Sequence, residues 1–211
     1  MDPKGKKLMT VFAHSDDAEI WAGGSIAKWN ALGGESMSVC FCTDSIREKE
    51  GISGAKILGS GFKVVKLAPF SNETSIKQVS DLIQEYKPEI LITHYLKDTH
   101  PEHRNIFELV SLSLVNVKIN TGSPKILLCA NTYNELCLED IFNPNLYIDI
   151  SSYFDRKLEA IGKHKSQPFE MWRKIASDQN VLLGSRLSNV QYAEGFIQIP
   201  ILGKLANLSL F

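Results

Sequence analysis

Five short runs rich in apolar and β-branched residues recur along the chain, at 8–13 (LMTVFA), 37–42 (MSVCFC), 62–67 (FKVVKL), 89–94 (EILITH) and 125–130 (KILLCA). They are nearly continuous in apolar residues rather than alternating, the pattern of strands covered on both faces. Between them, residues 23–34, 47–59, 75–87 and 102–117 space their apolar side chains three and four apart, and two of these segments carry glycine near their C-terminal end. Strand and helix in strict alternation predict a mainly parallel sheet with right-handed crossovers and helices on both faces, an α/β doubly wound sandwich. Residues 147–167 add a strand and a helix capped by Ser151 or Ser152, residues 167–186 a further helix, and residues 191–200 a late strand. Without a linker, repeat or low-complexity tract, residues 1–211 read as a single domain, long enough to bury a core without cross-links.

The charge balance excludes some partners. With 23 basic and 24 acidic residues the formal net charge is -1, which offers no electrostatic grip on nucleic acid or an anionic membrane. The expected partner is a small molecule. The chain has no apolar stretch of about 18 residues that would span a bilayer, and no apolar leader follows its basic start. Cys40, Cys42, Cys129 and Cys137 show no C-x-x-C spacing and read as small buried hydrophobes. These features predict a cytoplasmic protein.

In open parallel sheets ligands bind beyond the C-terminal ends of the strands, where the strand order reverses. For the common order 3-2-1-4-5, that point lies between the first and fourth strands. The first runs into "HSDDAEIWAGG", starting at His14, and the fourth ends in "HYLKDTHPEHRN", starting at His94. Four of the five histidines of the chain fall in these two segments, and the fifth is His164. Such a cluster suits a catalytic zinc site, which takes three nitrogen or oxygen ligands from the protein and leaves one position for water or substrate. His14 and Asp17, spaced H-x-x-D across the turn, supply two ligands, and His103 supplies the third. Asp16 is then left as a base for the water, His100 faces the same centre as an acid, and Glu102 beside it orients an imidazole.

At these residues the chain resembles a known family. "AHSDDAEIWAGGSIAKW" is similar to the A-H-P-D-D-x-E signature of the PIG-L or LmbE-like deacetylases, and "HYLKDTHPEHR" to their H-P-D-H-R signature. "DSIREKEGISGAKILG" resembles the family's R-x-x-E-x-x-x-A-A-x-x-L-G helix, "DISSYFDRKLEAIGKHKSQ" its K-x-x-A-x-x-x-H-x-S-Q segment, and "YAEGF" its A-E-x-F strand. The resemblance implies a Rossmann-like domain and a zinc-dependent hydrolase, with one zinc ion per chain, that removes acetyl groups from N-acetylglucosamine moieties of small molecules or glycolipids. It implies His14, Asp17 and His103 as zinc ligands, Asp16 as general base and His100 as acid or oxyanion partner. Ser15 stands where the signature has proline, and Glu102 where the family commonly has aspartate; neither departure removes a ligand.

The remaining polar residues carry weaker signals. Arg47 resembles a substrate-contacting arginine of the family, and also suits a solvated first helical turn. His94 and Asp98 either support the site from beneath or contact the sugar. His164 matches the family pattern and is placed with the substrate contacts, and Glu19 either supports a ligand or favours its helix N-terminus. Trp21, Trp29 and Trp172 lie in helical apolar patterns and read as packing residues. The competing reading is a metal-free nucleotide- or sugar-binding Rossmann-like protein without hydrolase activity, with "AGGSIAKWNALGG" at the pyrophosphate position and Asp44 at the ribose; against it, the glycines do not fit G-x-G-x-x-G and Asp16 and Asp17 would repel a phosphate. Specificity is expected from loops 43–46, 69–75, 95–99 and 131–146. The apolar C-terminal stretch "IQIPILGKLANLSLF" predicts packing of residues 202–211 on their own domain or on a sister subunit of a homo-oligomer.

Overall fold

The computed structural model describes residues 1–41, 44–66 and 72–207. Seven strands, β1 (Lys7–Phe12), β2 (Glu35–Phe41), β3 (Gly61–Val65), β4 (Ile90–Thr93), β5 (Ile126–Ala130), β6 (Leu146–Asp149) and β7 (Ala193–Ile199), form one sheet in the order β3-β2-β1-β4-β5-β7-β6. The first five pair in parallel, in the order expected for a doubly wound sheet. The late strands depart from that pattern. β7 inserts between β5 and β6 and runs antiparallel to both. Two helices, α5 (Phe154–Ile161) and α6 (Phe169–Gly184), lie between β6 and β7, where a parallel crossover normally uses one. Cys42, residues 67–71 and residues 208–211 lie outside the described residues, so the ends of two expected strands and part of the C-terminal tail are not described.

Four further helices, α1 (Asp17–Ala31), α2 (Ser45–Leu58), α3 (Glu73–Tyr86) and α4 (Pro101–Thr121), complete the two covering layers. Side chains alternate across each strand, so Leu8, Phe12, Ile92 and Leu128 face α1, α5 and α6. Met9, Val11, Leu91 and Leu127 face the opposite layer, where Val79 and Ile83 of α3 and Ile106, Leu109 and Val110 of α4 meet them. Trp21 and Trp29 are buried in the first layer, and Trp172 packs on its margin, as their helical spacing predicts.

α1 starts at Asp17, six residues before the expected Gly23, so the glycine pair lies inside the helix rather than at its entrance. The reason is tertiary. A Cβ on Gly24 would lie 2.6 Å from Cβ and Cδ1 of the buried Ile150, and one on Gly23 would lie 3.1 Å from Lys157 Cγ. The same stretch is anchored by Glu194 of β7, whose carboxylate accepts from Gly24 N at 2.9 Å and Ser25 N at 2.8 Å. Lys157 of α5 donates to that carboxylate at 2.6 Å, with both side chains 1% exposed. Three stretches far apart in sequence therefore share one close contact. At the C-terminus, Ile201 is buried and Ala206 packs against the core, whereas Leu202 and Leu205 are exposed.

Candidate metal centre

The first half of the centre is the turn that leaves β1. Residues 13–16 cross the C-terminal end of the sheet into α1, where Asp16 is the N-cap and Asp17 the first helical residue. The second half follows β4: His94 continues the strand, and His100 is the N-cap of α4 with Pro101 in its first turn. Because β1 and β4 are neighbours, the halves are stitched together. Thr93 Oγ1 donates to Val11 O at 2.9 Å, and Ala13 N donates to His94 Nε2 at 3.0 Å.

Asp17, 1% exposed, lies at the middle of the cluster. Its Oδ2 accepts from His14 N at 2.7 Å and lies 3.2 Å from both His14 Nδ1 and His94 Nε2. Its Oδ1 accepts from Trp21 Nε1 at 3.3 Å and faces His103 Nε2 at 3.6 Å. The other nitrogen of His103, Nδ1, is taken by Asp98 Oδ2 at 2.8 Å, and the second oxygen of Asp98 accepts from His100 N at 2.8 Å. Asp98 thereby fixes the His103 tautomer and turns the Nε2 lone pair toward Asp17.

That nitrogen carries the test of metal fit. His103 Nε2 is buried and has no hydrogen-bond partner, a costly state for a polar atom unless a cation meets it. His14, Asp17 and His103 each offer a donor atom within 4.8 Å of the others. Two imidazoles and one carboxylate with one side open are the donors of a catalytic zinc site, so these residues fit the metal. A second group, His94, Asp98 and His103, is buried throughout. In it His94 Nε2 already takes a backbone N–H and Asp98 is committed to His103 Nδ1, so it serves as the floor. His94 stacks on His103 with ring centroids 3.6 Å apart.

The charges follow from burial and neighbours. Burial disfavours charge on His14, yet Asp17, Glu102 and Asp16 outweigh it and raise its pKa to about 9. Burial, reinforced by His103, lowers that of His94 to about 4. Burial works against ionisation of Asp17, but His103, His14 and His94 together hold its carboxyl well below the usual range. Asp16 is pushed the other way, up, by burial and by the charge of Asp17 beside it, with His164 and Arg47 partly offsetting this. Two adjacent carboxylates thus have opposite tendencies, one a fixed anion and the other a group that readily takes a proton. His100 is lowered by burial and by His103 and His14.

The structure brings His14, Asp16, Asp17, His100 and His103 into one cluster. Arg47 joins them, donating from Nη2 to Asp16 Oδ1 at 3.2 Å. Two expectations change, those for Glu102 and His164. Glu102 does not orient His100; its Oε2 lies 2.6 Å from His14 Nε2, because the long side chain at the start of α4 reaches across to the end of β1. His94 and Asp98, both 0% exposed, support the site from beneath. His164, also 0% exposed, lies 3.7 Å from the buried Glu19. Its loop is pinned to α2 where Ser166 donates from N at 2.7 Å and from Oγ at 2.6 Å to Glu50, which leaves it behind the site rather than in it. Asp44 accepts from Ile46 N at 2.7 Å as the N-cap of α2, a local role that requires no ribose.

Tyr133 was not singled out by its residue pattern. Its ring lies 5.9 Å from that of His103, nearly parallel, 5.0 Å from Trp21 and 5.7 Å from Trp172, and forms a wall of the centre. Burial, then Asp17 and Asp16, raise its pKa and keep the phenol protonated. The next two residues, Asn134 and Glu135, both have left-handed backbone, with φ of 54° and 61°. This conformation costs a non-glycine residue about 1–2 kcal/mol. It is held by Phe142 N donating to Glu135 O at 2.7 Å, Arg186 to the Glu135 carboxylate at 2.9 Å and Gln179 to Thr132 O at 2.7 Å. The one signal in the sequence was its place in the loop after the fifth strand, next to the fourth in the sheet.

His14, Asp17 and His103 lie within residues 9–113, which match the family model described as "PIG-L: GlcNAc-PI de-N-acetylase". The chain is 25% identical, over an alignment of 190 positions that covers 77% of this chain and 84% of the relative, to the Bacillus cereus protein named "Probable N-acetyl-alpha-D-glucosaminyl L-malate deacetylase 2". It is also 25% identical, over an alignment of 226 positions, to diacetylchitobiose deacetylase of Thermococcus kodakarensis, covering 92% of this chain and 84% of that one. Among solved structures, GalB, the 4-carboxy-2-hydroxymuconate hydratase from Pseudomonas putida, superposes with a TM-score of 0.80 at 21% identity, covering 97% of this chain and 100% of the other. This last likeness is one of fold.

Proposed function

From the premise that the chain belongs to the PIG-L/LmbE-like deacetylase family, we propose that it is a zinc-dependent amidohydrolase that removes an N-acetyl or other short N-acyl group from an amino-sugar moiety of a small molecule. The observation that carries the reading is the buried, partnerless His103 Nε2 aimed into a cluster with Asp17 and His14. These three residues would hold one zinc ion per chain. Zinc bound there supplies Lewis acidity, to a water molecule and to the amide carbonyl.

The side chains around it divide the proton work. The Asp16 carboxylate accepts the proton of the attacking water, and the Arg47 guanidinium holds that carboxylate in place. The water oxygen bonds to the amide carbon, the carbon–nitrogen bond breaks, and the leaving amine takes a proton from His100. Trp21 Nε1 and His14 N hold Asp17 rigidly, as Asp98 does His103. Tyr133 and Trp172 shield one side from bulk water. No helix among the described residues is long and apolar enough to cross a membrane. With Cys129 and Cys137 present as free thiols as well, we propose a cytoplasmic location.

The test is release of a primary amine and a carboxylic acid from a panel of N-acetylated and N-formylated amino sugars and sugar nucleotides, before and after removal of zinc. Cleavage that disappears with the metal and returns with zinc supports the reading. Full activity of metal-free protein, or no cleavage of any panel member by zinc-loaded protein, refutes it.

A further inference from the structure

We propose that Glu102 is a positioning residue for the metal centre and acts through the outer nitrogen of His14. The proposal rests on the zinc reading above, and deepens it at one residue. Glu102 Oε2 lies 2.6 Å from His14 Nε2, while Nδ1 of the same ring faces Asp17 Oδ2 at 3.2 Å. The two nitrogens of an imidazole point in different directions, so a ring that ligates through one has the other free for a second partner. Here Nδ1 points into the group that contains Asp17 and the partnerless Nε2 of His103. Nε2 points at a carboxylate. A proton held on Nε2 by Glu102 leaves the Nδ1 lone pair for the metal, fixes the ring plane and makes the ring a stronger donor.

The arrangement repeats one already seen on the other imidazole. His103 is backed on Nδ1 by Asp98 at 2.8 Å, and His14 on Nε2 by Glu102 at 2.6 Å, so each ligating ring has its own carboxylate. They differ in setting. Asp98 is wholly buried, whereas the Glu102 side chain is 47% exposed on the first turn of α4, at the mouth of the site. Its contact spans 88 positions of sequence, and an aspartate at this position, one methylene shorter, would not complete it. The family resemblance by itself would place this carboxylate beside His100; the added length carries it to His14.

Glu102→Ala, Glu102→Asp and Glu102→Gln in the full chain test this, with His103→Ala as reference. Zinc affinity is read by competition with a chromogenic chelator, and the ligand set by the visible spectrum of the cobalt-substituted protein. Glu102→Ala and Glu102→Asp are expected to bind zinc about 10- to 100-fold more weakly, the usual effect of losing such a partner, at one metal per chain and with an unchanged four-coordinate cobalt spectrum. Glu102→Gln keeps an acceptor at the same reach and is expected to recover part of the loss. Unchanged affinity in Glu102→Ala overturns the proposal, as does full recovery in Glu102→Asp, which would make charge rather than contact the cause. A second zinc ion lost with Glu102, or a changed cobalt spectrum, also overturns it, because Glu102 would then itself be a ligand with His14 and His100. If His103→Ala too leaves zinc affinity unchanged, the zinc reading fails, and this proposal with it.

Discussion

Strip the protein of divalent ions and raise the pH from 6.5 to 9: the charge on His14 is then removed from between two carboxylates. His14 lies 3.2 Å from Asp17 and 2.6 Å from Glu102. Burial opposes its charge, but the carboxylates prevail and carry its pKa from 6.5 to about 9. A group whose folded pKa is the higher one binds more protons folded than unfolded. Its stabilisation is therefore complete below pH 6.5 and lost as pH rises through 9. A displacement of about 2.5 pH units, at about 1.4 kcal/mol each, amounts to about 3 kcal/mol. Urea unfolding followed by tryptophan fluorescence measures it, in wild-type protein and in His14→Asn. The metal-free wild type should lose about 3 kcal/mol across this range. The variant should keep only the smaller slope of His164, which is raised too: burial opposes its charge, and Glu19 outweighs burial. Saturating zinc should flatten the His14 limb, since a metal on the ring displaces the proton. Metal-free stability that stays level or rises between pH 6.5 and 9 would show that His14 carries no stabilising charge.

On the acid side the sign reverses: burial holds His94 neutral down to about 4, so the unfolded chain alone takes up a proton below pH 6.5, and stability should fall from there toward pH 4, less steeply in His94→Gln. The two aspartates should fail differently, with Asp17→Ala losing zinc and activity together and Asp16→Asn keeping zinc while turnover drops about 10²- to 10⁴-fold; metal content and rate for each variant decide it, and the reverse pattern would exchange the two roles. Lys157→Met leaves Glu194 buried without its cation and should cost about 3–5 kcal/mol by denaturant unfolding, much of it recovered on adding Glu194→Gln. Gly24→Ala drives a methyl to 2.6 Å from the immobile Ile150 and should destabilise by about 1–3 kcal/mol, less the helical preference for alanine, whereas Gly23→Ala meets only the flexible Lys157 stem at 3.1 Å and should be close to neutral; equal losses would refute the steric account.

Much of the architecture is local in origin. An apolar run covered on both faces has a composition that no exposed segment shares, so β1, β2, β4 and β5 and the helices between them are legible from spacing alone. His14, Asp17 and His103 are legible for a related reason: polar residues directly after a buried strand must lie at its C-terminal end, and strand order then selects which ends are neighbours. Other features exist only once distant segments meet. The direction of β7 depends on the path through α5 and α6, and the glycine pair inside α1 depends on Ile150 and Lys157 arriving against it. His94, Asp98 and His164 have the residue types of substrate contacts, yet stacking, an imidazole partner and the closely packed Glu19 place them inside the protein. Tyr133 reaches the centre through a left-handed turn anchored by Phe142, Gln179 and Arg186, and Glu102 meets His14 across two elements whose approach is set by the sheet. Periodicity determines which residues stand at the end of a strand. Which nitrogen faces which carboxylate is a matter of ångströms between segments some 80 residues apart, and only the packing of the whole chain decides that.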